Sequence, residues 1–431
     1  MATKPRKERA RRKRGAGSVY ESPKGSGVWW AAERIKGRLV RRRATSEQTA
    51  EAKLAELQEL KRKRIDIHSG AQSYTEWLSS CHKEKQRLNA PKPRTVEFNL
   101  DMIERYIIPG MGSMRLLDIR PTDIQLFLDR LYEEIRTSNI SKATNKPRYD
   151  GARTVHAAAA IVQETLTLAF KRHLIPDNPY SGIRLPKYRR KKIVPMTDEQ
   201  CRAFLLAAAG KLDVRPRYVD GRGRIKHLPA IDPRLCVLWA AYLFFGWRRG
   251  EGLGARWIDI DWERRTIKIA QQVQRVNGRE IIVSTPKTED SERELPFTQG
   301  LFDGFCERWD DAQAERKLKG VEGWTEHGLV FPSGAGTPMW PDNLEAMFRR
   351  IRAAAGLPDS IKLHHLRHTL ATLLDECGCT ESLKADILGH AKQTQSGKYT
   401  HGRIDAMRKV LQAVEDRILG RKEVGDQETG T

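Results

Sequence analysis

Tyr399 follows His390 by nine residues in LGHAKQTQSGKYTH, and HHLRH occupies 364–368 shortly before it. With Arg248 far upstream in GWRRGE, this spacing suits a tyrosine aimed at a phosphodiester. Such a group is a poor electrophile because its negative charge repels a nucleophile. The chemistry needs cations on its oxygens and hydrogen-bond donors around them, which arginine and histidine supply. Each segment is weak alone. Arg248 could form a structural ion pair with Glu251, Lys287 in the hairpin-like PKTEDSERELPF could be an ordinary solvated lysine, and HHLRH could be a polar helix end.

The elements that would position these groups fall into three blocks. Residues 1–14 are a basic run too polar to fold alone, expected to be disordered without a partner. From 15 to 64, SVY, VWWAAERIKG and RLVRRRAT alternate as three short strands, and Ser46 caps a helix carrying Leu54, Leu57 and Leu60. Residues 73–185 read as helices: Val96, Leu100, Ile103 and Ile107 recur at helical spacing, Thr122 is expected to cap a further helix, and an alanine-rich stretch follows at 152–174. A basic linker at 186–195 holds Arg189, Arg190, Lys191 and Lys192 and is expected to lie on phosphate. From 196 to 420, Thr197 and Gln200 form a capping box, 211–233 reads as an inserted surface loop, and an apolar helix runs over 236–247. One small antiparallel sheet is expected from 266–273 and 280–297, with helices after it and a disordered tail at 421–431. The fold class is mainly α with small β-sheets.

Composition narrows the partners. The 431 residues exceed what one core usually serves, and no apolar run reaches the roughly 18 residues needed to cross a bilayer. A charged N-terminus without an apolar segment behind it is no secretory signal. The protein is therefore expected inside the cell and away from membranes. The net charge of +23 favours a polyanion, and about half of it lies in residues 1–43, where fifteen Lys and Arg face three Glu. Arg41, Arg42 and Arg43 are candidate phosphate contacts there. The cysteines at 81, 201, 236, 306, 377 and 379 lack the paired spacing of a zinc site and read as reduced structural thiols. No metal or other cofactor is expected.

Taken in order, GWRRGE, PKTEDSERELP, HHLRH and LGHAKQTQSGKYTH resemble the catalytic domain of the tyrosine recombinases, the phage-integrase family. The resemblance makes Arg248, Lys287, His364, Arg367, His390 and Tyr399 the catalytic set. It extends to a helical core-binding domain at 73–185 and an arm-type DNA-binding domain at 15–64, with the catalytic domain at 196–420. Trp247 departs from the usual small aliphatic residue and is expected to alter the fit to DNA, as is the 211–233 loop; His365 takes a position that is often acidic.

The resemblance implies that Tyr399 attacks the scissile phosphate, leaving a 3′-phosphotyrosine and a free 5′-hydroxyl. Arg248 and Arg367 would neutralise the nonbridging oxygens with help from His390. Lys287 would protonate the leaving oxygen, His364 would help accept the phenolic proton, and Glu251 would hold Arg248 or neighbouring backbone. It implies a homotetramer on double-stranded core and arm sites, with an excisionase and a host DNA-bending protein as further partners, on the nucleoid of a bacterial cytoplasm. The stripe Met407, Val410, Leu411, Val414 and Ile418 is expected to dock into a neighbouring protomer. An integrase of a phage or mobile element is favoured over a Xer-like resolvase, a type IB topoisomerase or a noncatalytic DNA-binding regulator.

Overall fold

The computed structural model describes residues 16–89, 91–138, 151–188, 193–211, 217–219, 225–227, 232–276, 278, 280–284, 292–320, 323–389 and 401–421. The chain divides into two compact units, 1–190 and 191–431.

In the first unit, β1 (Ser18–Glu21), β2 (Trp29–Ile35) and β3 (Arg38–Ala44) form an antiparallel sheet with β2 central. The helix α1 (Glu47–Arg62) begins where the Ser46 hydroxyl accepts the Thr49 N–H at 3.2 Å and the Thr49 hydroxyl accepts the Ser46 N–H at 3.0 Å. Its Leu54 and Leu57 pack on Ala31 and Ile35, burying one face of the sheet. Leu60 is only partly buried at the margin of that core.

The helical part contains α2 (Tyr74–Asn89), α3 (Pro93–Met102), α4 (Pro121–Ser138) and α5 (Ala152–Lys171). The alanines of α5 let its neighbours approach closely: Ala158, Ala159 and Ala169 have no exposed surface. The Tyr74 and Thr165 hydroxyls pair at 2.8 Å, and the Trp77 indole donates to the Thr165 carbonyl at 3.0 Å. Thr122 is not a cap. The helix starts at Pro121, whose missing N–H costs nothing at a first helical position, and the Asp123 carboxylate accepts the Arg120 N–H at 2.9 Å.

The second unit contains α6 (Asp198–Ala208), β4 (Arg217–Val219), β5 (Ile225–His227), α7 (Cys236–Phe244), α8 (Arg249–Gly254), β6 (Ile260–Asp261), β7 (Thr266–Ile269), β8 (Gln272–Val276), β9 (Glu280–Ser284) and β10 (Arg293–Pro296). There follow α9 (Gln299–Lys319), α10 (Pro341–Ala354), α11 (Leu363–Glu376), α12 (Glu381–Leu388) and α13 (His401–Leu419). The capping box at Thr197 and Gln200 is present. The core gathers around α7, where the Trp239 ring meets Phe204, Tyr242 and Phe348.

Four expectations are corrected here. The 211–233 segment is not all loop, since β4 pairs antiparallel with β5, Val219 opposite Ile225. Its Asp-Gly turn signal between β-formers was outweighed by its Gly and Arg content. The strands over 260–296 form two sheets, β10-β7-β6 and β8-β9, because β7 pairs with β10, Ile269 opposite Arg293. Alternation identifies strands without identifying their partners. Trp247 turns inward with about 2% exposure, its ring against Phe245 at 5.3 Å and edge-on to Tyr242 and Phe305, so it fills the core instead of shaping a DNA surface. Met407, Leu411, Val414 and Ile418 are fully buried in the core of their own unit, so the stripe on α13 is not free for a neighbour. Amphipathicity demands burial without specifying against which chain.

Candidate active site

Gly246 makes the turn that carries the chain from α7 to Arg248. Its φ is +60°, and a Cβ there would approach Leu370 and Leu388 to 2.9 and 3.0 Å. The backbone is then extended at Arg248, so Trp247 faces the core and Arg248 the site. Arg248 is the N-cap of α8: its N–H donates to Glu251 Oε2 at 2.9 Å and its Nη1 to Oε1 at 2.7 Å. Glu251 thus holds Arg248 at both backbone and side chain.

The Glu251 carboxylate is shared. Arg293 on β10 donates Nη2 to Oε2 at 2.9 Å and Nη1 to Oε1 at 3.3 Å. Burial by itself would raise the Glu251 pKa; the charge and hydrogen bonds of Arg293, and then Arg248, outweigh it and hold the carboxyl down to about 2. It is ionised at neutral pH.

Arg367 lies one turn into α11 with only 5% of its surface exposed. Its Nη1 donates to the Gly246 carbonyl at 2.7 Å and its Nη2 to the Leu388 carbonyl. Burial, then the like charges of Arg248 and Arg293, pull its pKa down to about 9, so it is still cationic at neutral pH.

These arginines converge on one helix end. The last carbonyls of α12 and its cap, Ile387, Leu388 and Gly389, accept from Arg293, Arg367 and Arg248 respectively. A helix C-terminus carries partial negative charge and unpaired carbonyls, so cations there satisfy both. Gly389 has φ +62°, and a Cβ would come within 2.9 Å of Arg293 Nη1, so glycine is required at this cap. Two guanidiniums, those of Arg248 and Arg293, share one carboxylate and a third, that of Arg367, stands beside them, leaving two positive charges in excess among these four side chains. Arg248, with 36% of its side chain exposed, presents that excess to solvent. The arrangement can hold an anion.

His364 stands on α11 one turn from Arg367, and its ring meets the His368 ring edge-on at 4.8 Å. The residue is open to solvent, yet its imidazole is crowded. Desolvation, then the charges of His368, Arg367, Arg248 and His365, lower its pKa to about 4. At neutral pH it is an uncharged proton acceptor.

Arg248, Glu251, His364 and Arg367 are therefore brought together. Lys287, His390 and Tyr399 lie outside the described residues, as do Arg189, Arg190, Lys191 and Lys192. The sequence reading missed Arg293 and gave His368 no role. Arg293 shares the strand phase of the buried Leu295, a signal for an inward side chain, and His368 repeats His364 at i+4.

Arg41, Arg42 and Arg43 do not share one face of the sheet. The register sets Arg43 opposite Trp30, itself opposite Tyr20, and Arg41 opposite Ala32; these share the sheet face away from α1. Arg42 is opposite Ala31, on the α1 side, and is half-buried. A strand alternates faces, so three successive arginines cannot share one. Among the described residues no group of His, Cys, Asp or Glu could hold a metal ion, and no helix is long and apolar enough to cross a membrane.

Residues 232–404 match the model of the phage integrase family, and residues 73–132 match the N-terminal SAM-like domain of phage integrases. The chain is 25% identical to a tyrosine recombinase XerC-like protein of Caldanaerobacter subterraneus, over 67% of this chain and 69% of that one. It is 23% identical to an integrase of Streptomyces ambofaciens, over 88% and 90%. Among solved structures, the Tn1549 transposon integrase in complex with transposon right end DNA aligns with a TM-score of 0.57 at 17% identity, over 78% of this chain and 99% of that one. A lambda integrase tetramer bound to a Holliday junction aligns with a TM-score of 0.52 at 16% identity, over 89% and 98%. At these identities the structural likeness is one of fold.

Proposed function

The chain belongs to the phage integrase family of tyrosine recombinases, enzymes that break and rejoin DNA, and we propose that it integrates a phage or other mobile element through a tyrosine-linked intermediate. The observation that carries this reading is the surplus of guanidinium charge that Arg248 and Arg367 hold at the end of α12, directly before His390 in sequence. A scissile phosphate placed there would meet fixed cations at the moment its charge grows. Tyr399 attacks the phosphorus, and the 5′-oxygen leaves as Lys287 protonates it. His364 takes the phenolic proton; unperturbed tyrosine titrates near pH 10 and needs such help. The phosphodiester energy is kept in the 3′-phosphotyrosine bond, so resealing needs no nucleotide.

The likeness in fold to DNA-bound transposon and lambda integrases supports a tetramer acting on duplex sites inside a bacterial host. Residues 73–185 would grip the core site, 186–195 would track phosphate with Arg189, Arg190, Lys191 and Lys192, and 15–64 would bind arm sites. An excisionase and a host bending protein would set direction. Two plasmids, one carrying each element–chromosome junction that flanks this gene, test the reading. Exchange of flanking DNA between them is expected; relaxation of a single supercoiled plasmid without exchange would favour a topoisomerase instead.

The sheet makes a separate forecast. Replacing Arg41 and Arg43 together by alanine should weaken arm-site binding by about 10-fold and reduce the salt slope by about 2, one for each phosphate contact. Arg42→Ala should stay within about twofold, because the residue lies on the helix side of the strand. Filter binding at several salt concentrations distinguishes them, and an equal loss from Arg42→Ala would contradict this placement.

A further inference from the structure

Arg293 has no exposed side-chain surface. Burying a guanidinium is costly, and an apolar residue of similar volume often serves stability as well or better. Its partners point to a reason for keeping it. Two of its nitrogens bond the Glu251 carboxylate at 2.9 and 3.3 Å, on the same two oxygens that Arg248 bonds, and its Nε donates to the Ile387 carbonyl at 2.8 Å. Each carboxylate oxygen thus accepts from both arginines. The arginine also packs on Gly389, the last residue before His390.

We infer that Arg293 is a positioning residue for strand cleavage, holding Glu251 against Arg248 and locking the end of α12 to the same carboxylate. It touches no reacting atom. It joins β10, α8 and α12 into one rigid seat, so that the cation at Arg248 and the end of α12 keep a fixed spacing. A shift of about 1 Å in such a seat can cost about 10²-fold in rate.

The charged and titratable groups facing Glu251 are Arg248 at the head of α8, Arg293 on β10, Arg367 on α11 and the Tyr242 phenol on α7. Of the influences that keep the carboxyl ionised, Arg293 is the largest, acting against burial. Without its charge, burial would raise the Glu251 pKa from its low value. Protonation as the pH falls would then weaken the acceptor that holds Arg248.

The inference rests on the recombinase reading, and one experiment separates the two. The full chain is incubated with a duplex carrying the element–chromosome junction that flanks this gene, nicked so that covalent complex is trapped. Trapping rate between pH 5 and 8.5, binding to the same duplex and thermal melting are measured for the unaltered chain, Arg293→Lys and Arg293→Gln. Arg293→Lys keeps the charge but loses the fork. It should melt cooperatively, bind within about threefold and trap about 10²-fold more slowly across the pH range, since its charge still keeps Glu251 ionised. Arg293→Gln removes that charge and should in addition lose rate as the pH falls where the unaltered chain does not, and if it fails to fold, Arg293→Lys decides. A lysine variant with the original rate would overturn the inference. So would a loss that matches the unfolded fraction equally at every pH. Failure of the unaltered chain to trap DNA would instead strike the recombinase reading itself.

Discussion

Tyr399→Phe should still bind the junction duplex with nearly unaltered affinity while its rate of covalent trapping falls by on the order of 10⁴-fold or more, the scale seen when a nucleophile is removed from a working site. The change deletes one oxygen and leaves the ring. Nothing else in the described site can take over. Arg248 and Arg367 are cations bonded to carbonyls, Glu251 is saturated by two guanidiniums, and His364 is a neutral base. A gel that separates protein-linked from free DNA measures the loss, with binding followed in parallel. Trapping within tenfold of the original rate would place the nucleophile elsewhere.

Arg367→Lys should lower the trapping rate by about 10²–10³-fold, although the positive charge is kept. The guanidinium spans two buried carbonyls, Gly246 and Leu388, and in the proposed mechanism its remaining N–H groups meet the phosphate. A lysine ammonium is a compact point charge on a flexible stem and cannot span that gap. One carbonyl would then be left without its donor at a cost of about 1–3 kcal/mol, so melting should also shift downward. The two effects are separable. Single-turnover trapping below the melting temperature, corrected for folded fraction, should retain at least a 30-fold deficit on this scale. Recovery of the original rate after that correction would show Arg367 to be structural.

Much of this architecture was legible in the chain because local rules decided it. Ser46 and Thr197 begin helices through their own hydroxyls, and strand alternation marks β1 to β3. Where a contact depends on residues distant in sequence, local patterns lose their hold. The pairing of β7 with β10 spans the whole β8-β9 hairpin, so nothing in either strand announces it. The apolar stripe of α13 was assigned to a neighbour when its own unit had room for it.

The site divides in the same way. Arg248, His364 and Arg367 were named from the family resemblance and come together in the structure, and Glu251 was correctly expected to hold Arg248. Arg293 was passed over because charged residues read as solvated in sequence, and only burial of its whole strand face makes it a partner of Glu251. Arg41 to Arg43 are candidate phosphate contacts from charge alone, and strand alternation, readable in the sequence, sets Arg42 on the other sheet face from Arg41 and Arg43.

The central claim is that Tyr399 becomes joined to DNA. Trapped covalent complex, treated with nuclease and then trypsin, should yield the peptide from Tyr399 to Arg403 carrying the added mass of a 3′-linked nucleotide phosphate, with a free 5′-hydroxyl on the released strand. Attachment at any other residue, or no protein-linked DNA from the unaltered chain on its own junction duplex, would contradict the account.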